Sequence, residues 1–186
     1  MRFTLLMLSL CSSHALAELS ISHSTANYAV NVQSIETLQH ELDSATPLRR
    51  DAEPAYSDTQ YTLDWDFRFN ARSRVCEVKR MTTELALTYT LPKLESDDEQ
   101  VKSVWSQWYP TLAEYQRLQS DIIIAGAKQL DARLEAIAGH PNCKKLEQQA
   151  EQLGANAIDE INKELARLHR KSTFNKVSKT DLQQYL

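Results

Sequence analysis

The chain has 186 residues, 42% of them hydrophobic and 25% charged, with a formal net charge of −4. That length suits one domain with a sizeable core, and the mildly acidic balance argues against a dedicated nucleic-acid or anionic-membrane binder.

The first residues read as a processing segment. Arg2 gives a small positive region, Phe3 to Leu10 is a short apolar core, and Ala15-Leu16-Ala17 has the small-x-small cleavage pattern. A signal peptide over residues 1–17 is expected, with the mature chain starting at Glu18. Removing it deletes one base and no acid, so the charge goes from 21 − 25 = −4 to 20 − 25 = −5 over 169 residues (186 − 17). The apolar run is too short to cross a bilayer, and no later run is long enough. Cys11 falls in the discarded segment. The expectation is a periplasmic or secreted protein that does not span a membrane.

Two cysteines survive cleavage, Cys76 and Cys143. In an oxidising compartment an even pair predicts a structural bridge. Its loss would cost on the order of 4 kcal/mol in the chain-entropy description. Their separation is far too wide for a redox CxxC pair.

Short β pieces are expected at Leu19-Ser20-Ile21 and from Tyr28 to Val32. Ser34 then caps a short helix with Ile35, Leu38 and Leu42 on one side. In that helix His40-Glu41-Leu42-Asp43-Ser44 is half of a zinc motif, with serine at the second histidine position; an exposed His beside Glu is the ordinary reading. Pro47 to Asp58 reads as a loop.

Tyr61, Leu63, Trp65, Phe67 and Phe69 alternate with Gln60, Thr62, Asp64, Asp66 and Arg68, which predicts a strand with one packed and one wet face. Asp64 and Asp66 are read as solvated, not as a carboxylate pair. A polar turn at Asn70–Arg74 leads to a second β segment over Val75–Leu91. Its parity switch predicts a bulge near Arg80 to Thr83, and Pro92 is expected to end it.

Ser96-Asp97-Asp98-Glu99 reads as a capping box. Val101, Val104, Trp105, Trp108, Leu112, Tyr115, Leu118 and Ile122 follow the steps of one helix face. Pro110 predicts a break or kink, and Gly139 a C-cap. A last helix starts near Cys143, with Leu146, Ala150, Leu153, Ala157, Ile161, Leu165 and Leu168 as its stripe. Arg167, His169, Arg170 and Lys171 complement its dipole. Residues 172–186 read as a polar, loosely held tail. The fold class is α+β: a small antiparallel sheet with a long hairpin, packed on long carboxy-terminal helices, with residues 18–171 as one domain.

Tyr115-Gln116-Arg117-Leu118-Gln119 lies inside the long helical pattern. Residues 115 and 119 are four apart and point the same way, the frame in which zinc peptidases set His-Glu-x-x-His. By residue type alone, Tyr115 and Gln119 are an aromatic and an amide on a partly buried helix.

The order of elements resembles a bacterial family, the exported proteins called Domain of Unknown Function 922, predicted to be secreted zinc-dependent proteases. The resemblance rests on Tyr28-Ala29-Val30, Trp65-Asp66-Phe67, Cys76-Glu77-Val78, Leu91-Pro92, Trp105, Trp108, Leu112 and Cys143, and covers Tyr28 to Lys176. It implies a zincin-like fold. It also implies that Tyr115, Gln116 and Gln119 occupy the zinc-motif positions. Where the family tends to place a further His after a Thr, this chain has Thr173-Phe174-Asn175.

Zinc is held by imidazole, thiolate or carboxylate, and none of these four residues supplies one. Gln116 has no titratable group with which to deprotonate water, and Glu114 is rotated about 100° around the helix. The reading is a degenerate member with no metal, no cofactor and no catalytic residue. It would bind an unidentified protein or peptide by β-augmentation. The exposed parts of Tyr115, Trp105 and Trp108 are candidate contacts, with core packing the ordinary role for both Trp. The alternative is a secreted or periplasmic metal-dependent peptidase with a ligand set drawn from His23, His40, His140, His169 and nearby acids.

Overall fold

The computed structural model describes residues 17–47, 56–174, 177, 178 and 180–186. The cleavage segment up to residue 16, residues 48–55 of the loop expected over Pro47–Asp58, and Asn175 lie outside them. The end of that expected loop, from Tyr56 to Asp58, is instead the start of a strand, extended by its pairing. So do the side chains of Tyr61, Leu63, Asp64, Trp65 and Phe67.

The elements in order are β1 (Ala17–Asn31), a 3₁₀ turn (Ile35–Thr37), α1 (Leu38–Ala45), β2 (Tyr56–Asn70), β3 (Val75–Glu95), α2 (Glu99–Glu135) and α3 (Cys143–Ser172). The chain ends with β4 (Thr173–Phe174), β5 (Val177–Ser178) and a 3₁₀ turn (Leu182–Gln184). The mixed α+β class and the long carboxy-terminal helices are as expected.

The hairpin of β2 and β3 is antiparallel, but the sheet as a whole is mixed. Its order is β1-β3-β2, and β1 runs parallel to β3 from Ala17↔Met81 to Asn31↔Glu95. A parallel neighbour needs a crossover, and here α1 and β2 stand between β1 and β3 in sequence. β1 is one strand of 15 residues, not two short pieces. Its weakly alternating middle, Ser22 to Asn27, is held by pairing to β3; the Ser24 and Thr88 hydroxyls bond at 2.8 Å.

Pro92 does not end β3, which continues to Glu95. β2 pairs only up to Thr90, and beyond it β3 is paired only with β1. On the side that β2 has left, a missing N–H removes no ladder bond. The bulge falls at Lys79, just before the expected span: Asp66 pairs with Arg80, and Phe67 with Val78. Phe69, expected on the packed face, is 56% exposed beside the turn. Arg74 closes that turn with φ 57°, a left-handed conformation.

α2 spans 37 residues without interruption, so of the break or kink expected at Pro110 the break does not occur. Ser106, whose carbonyl loses its donor, and Pro110 are both exposed, which leaves that carbonyl open to water. The cap is Asp98, not Ser96: its carboxylate accepts from Gln100 N at 2.7 Å and Val101 N at 3.1 Å. Ser96 instead accepts from Asp98 N. Gly139 is not a left-handed cap either. A Cβ there would stand 3.0 Å from the Cys76 carbonyl oxygen, so glycine lets this loop lie against β3. There Cys76 and His140 exchange backbone hydrogen bonds of 2.7 and 3.0 Å. Cys76 and Cys143 are joined across the same contact, with Cα atoms 5.2 Å apart.

Three apolar clusters follow α2. Val30, Val32, Leu38, Leu42, Trp105, Trp108 and Leu112 fill one end. Leu85, Leu87, Ile123 and Ala127 join helix to sheet. Leu130, Leu134, Ala150 and Ala157 lock α2 to α3. The carboxy terminus is held more firmly than its polarity suggested. Leu182 is buried in the first cluster, Trp108 Nε1–H donates to the Thr180 carbonyl at 2.7 Å, and the Thr111 and Tyr185 hydroxyls meet at 3.2 Å.

Trp108→Ala is expected to cost about 3–5 kcal/mol by denaturant unfolding. Trp108→Phe, which keeps most of the volume but loses the bond to Thr180, should cost visibly less.

Candidate functional site

α2 buries one stripe along its length: Val101, Trp105, Trp108, Leu112, Tyr115, Gln116, Ser120, Ile123, Ala127, Leu130 and Leu134. The steps of three and four residues keep these positions on one side. Of the three positions that the resemblance set at a zinc motif, Tyr115 and Gln116 fall within this stripe and Gln119 lies beside it. Tyr115 is 7% exposed and Gln116 2% exposed, while Gln119 is half-buried.

α3 returns antiparallel to α2. Arg133 meets Glu160 near one end, and the Tyr115 hydroxyl meets His169 Nδ1 at 3.3 Å near the other. Between them, a Cβ on Gly126 would collide with the Ile161 side chain, so glycine leaves room for that side chain between the helices. The sequence assigned His169 to the dipole of α3 and to the alternative ligand set, not to a contact with Tyr115. The two apolar stripes suggest that α2 and α3 pair, but the register that brings Tyr115 to His169 is set by the structure and not by spacing.

Gln116 is held within the helix, where the Ser120 hydroxyl donates to its carbonyl at 3.0 Å. Arg117, on the opposite side, is exposed and binds both Glu114 and Asp121 at 2.6 Å. The hydrogen bond from Arg117 holds the Glu114 carboxyl below the usual carboxylate value. Glu114 is thus a surface ion pair, poorly suited to take a proton from water. Leu118 is half-buried.

The other candidates are dispersed. His23 on β1 stacks on Tyr89, with ring centroids 6.2 Å apart. His40 is exposed on α1. His140 accepts at Nδ1 from the Asn142 backbone N–H at 2.9 Å. Asp66 is exposed and pairs with Arg80 at 3.3 Å. Among the described residues, no three His, Cys, Asp or Glu side chains stand close enough to hold a metal ion. The donor set at positions 115, 116 and 119 does not fit zinc: one phenol and two neutral amides, two of the three buried and none bearing charge. Trp105 and Trp108 pack edge to face at 5.0 Å inside the core. With Tyr115 also buried, none of these three aromatics presents the exposed surface expected of a partner contact.

A cavity of about 320 Å³ opens between α2, α3 and β3, lined by Leu85, Ile123, Leu130, Ala157, Ile161 and Leu165 among others. It lies beyond Ser120 toward the far end of α2.

The arrangement defines an α+β domain in which one long helix carries its buried stripe past a mixed sheet and then onto a second helix. Residues 25–175 match the family described as a bacterial protein of unknown function (DUF922), and the chain belongs to that family. No curated protein and no solved structure matches it.

Tyr115→Phe should cost about 1 kcal/mol in urea unfolding, the net worth of a hydrogen bond. Arg117→Ala, which removes only exposed pairs, should leave the midpoint unchanged.

Proposed function

We propose that this chain is an exported, non-catalytic member of its family that works as a protein-interaction module. The observation that carries the reading is the burial of Gln116 at the general-base position, beside a Tyr115 whose hydroxyl meets His169. A hydrolytic site needs an open position for water next to a titratable base, and this stretch of α2 offers neither.

Export is supported by the apolar start and the Ala15-Leu16-Ala17 pattern, and by two cysteines at disulfide distance. Among the described residues, no helix is long and apolar enough to cross a membrane. Binding is assigned to an open edge of the three-stranded sheet, where an extended segment adds a strand. The residues 18–171 form the working domain, and the last turn closes on it through Leu182.

The test uses protein recovered from a periplasmic preparation. Elemental analysis should give no stoichiometric zinc, and casein should survive incubation with or without a chelator. Intact mass should correspond to a chain beginning at Glu18 with one disulfide. About one zinc per chain together with chelator-sensitive cleavage would overturn the reading in favour of a peptidase with another ligand set.

A further inference from the structure

The two edges of the sheet are built differently. β2 is defended in the ways that strand edges usually are: it carries exposed Asp66 and Arg68, and the ladder beside it bulges after Asp66. β1 carries a charge only at its start, Glu18. From Leu19 to Asn31 it contains no Asp, Glu, Lys, Arg or Pro. One side of β1 is paired along its length with β3, and no described strand pairs with the other. α1 approaches only the end of the strand, where the Tyr28 hydroxyl meets Thr46 Oγ1 at 3.2 Å and Val30 enters the core. The stretch from Leu19 to Asn27 thus carries exposed Ser20, Ser22, Ser24, Thr25 and Asn27 beside a row of backbone donors and acceptors.

From this asymmetry we propose that β1 pairs antiparallel with β1 of a second copy, giving one six-stranded sheet of order β2-β3-β1-β1-β3-β2 across a two-fold axis. The proposal rests on the reading of the chain as a sheet-edge binding module and names its partner. Antiparallel pairing of identical strands is the arrangement a two-fold produces, and it brings the same patch of both copies together. A strand bearing charges of one sign would then set like charges opposite one another, which destabilises a ladder. The uncharged run from Leu19 to Asn31 avoids this in every register. Its hydroxyl side chains also pair well with one another across strands. In a chain with five more acids than bases after cleavage (25 − 20), a neutral strand of this length is where two copies can meet without repulsion.

The experiment is sedimentation equilibrium on the mature, disulfide-bonded chain, comparing wild type, Ser22→Lys/Ala26→Lys and Thr62→Lys. All three positions are exposed, so circular dichroism and melting should match wild type. Wild type and Thr62→Lys are expected to be dimers. Ser22→Lys/Ala26→Lys is expected to be a monomer, with its β1 amides exchanging faster. A wild-type monomer at all concentrations would overturn the pairing, as would a dimer that survives the β1 lysines or is lost equally with Thr62→Lys. If a monomer still protects its β1 amides when a valine–threonine repeat peptide is added, the sheet-edge reading stands while the pairing of copies falls.

Discussion

The structure depends on the need to bury one face of a 37-residue helix. A single partner cannot cover a stripe of that length. The amino-terminal half of α2 is covered by the end of β1, by α1 and by the returning carboxy terminus. Its middle lies on β3, and its last turns on α3. The disulfide then ties the start of β3 to the start of α3, fixing the two layers between which the helix is held. Fixing those ends removes more freedom from the unfolded chain than from the folded one, and the 67-residue separation makes this worth about 4 kcal/mol in the chain-entropy description.

This constraint explains the state of Tyr115 and Gln116. A side chain on the buried stripe of α2 serves packing first. A hydrolytic site on this stretch, as the proposed ancestry would have it, must be kept open to water and to metal, at a cost in buried apolar area. In this chain the tyrosine hydroxyl is directed to His169 and the glutamine is enclosed. The polar chemistry that remains nearby, Glu114 with Arg117 and Asp121, faces solvent as ion pairs.

Much of the fold was legible in the sequence because long periodic segments carry strong signals. The stripes of α2 and α3, the hairpin, the bridge-forming cysteines and the order of elements all follow from spacing and residue type. What was not legible depended on neighbours. Pro92 and Pro110 look like terminators in isolation; each is tolerated because the group it fails to satisfy has no partner waiting or stands open to water. The direction of β1 could not be read because a parallel partner is chosen by topology, not by alternation. Leu182 gave too short a signal to predict that the tail packs on Trp108. At the candidate site, the identities of Tyr115, Gln116 and Gln119 were legible, but their burial and the meeting with His169 required the pairing of two helices.

The central claim is that position 116 belongs to a closed core and not to an open cleft. The most direct measurement is the stability of Gln116→Glu as a function of pH. A carboxyl enclosed there has its pKa raised above the unfolded value of about 4.3. The folded state then binds the proton more tightly, so stability is retained below pH of about 4 and lost as pH rises through the raised pKa. The account predicts that the variant melts close to wild type in acid and well below it at neutral pH. A variant as stable as wild type across that whole range would mean that position 116 is open to water, and would contradict it.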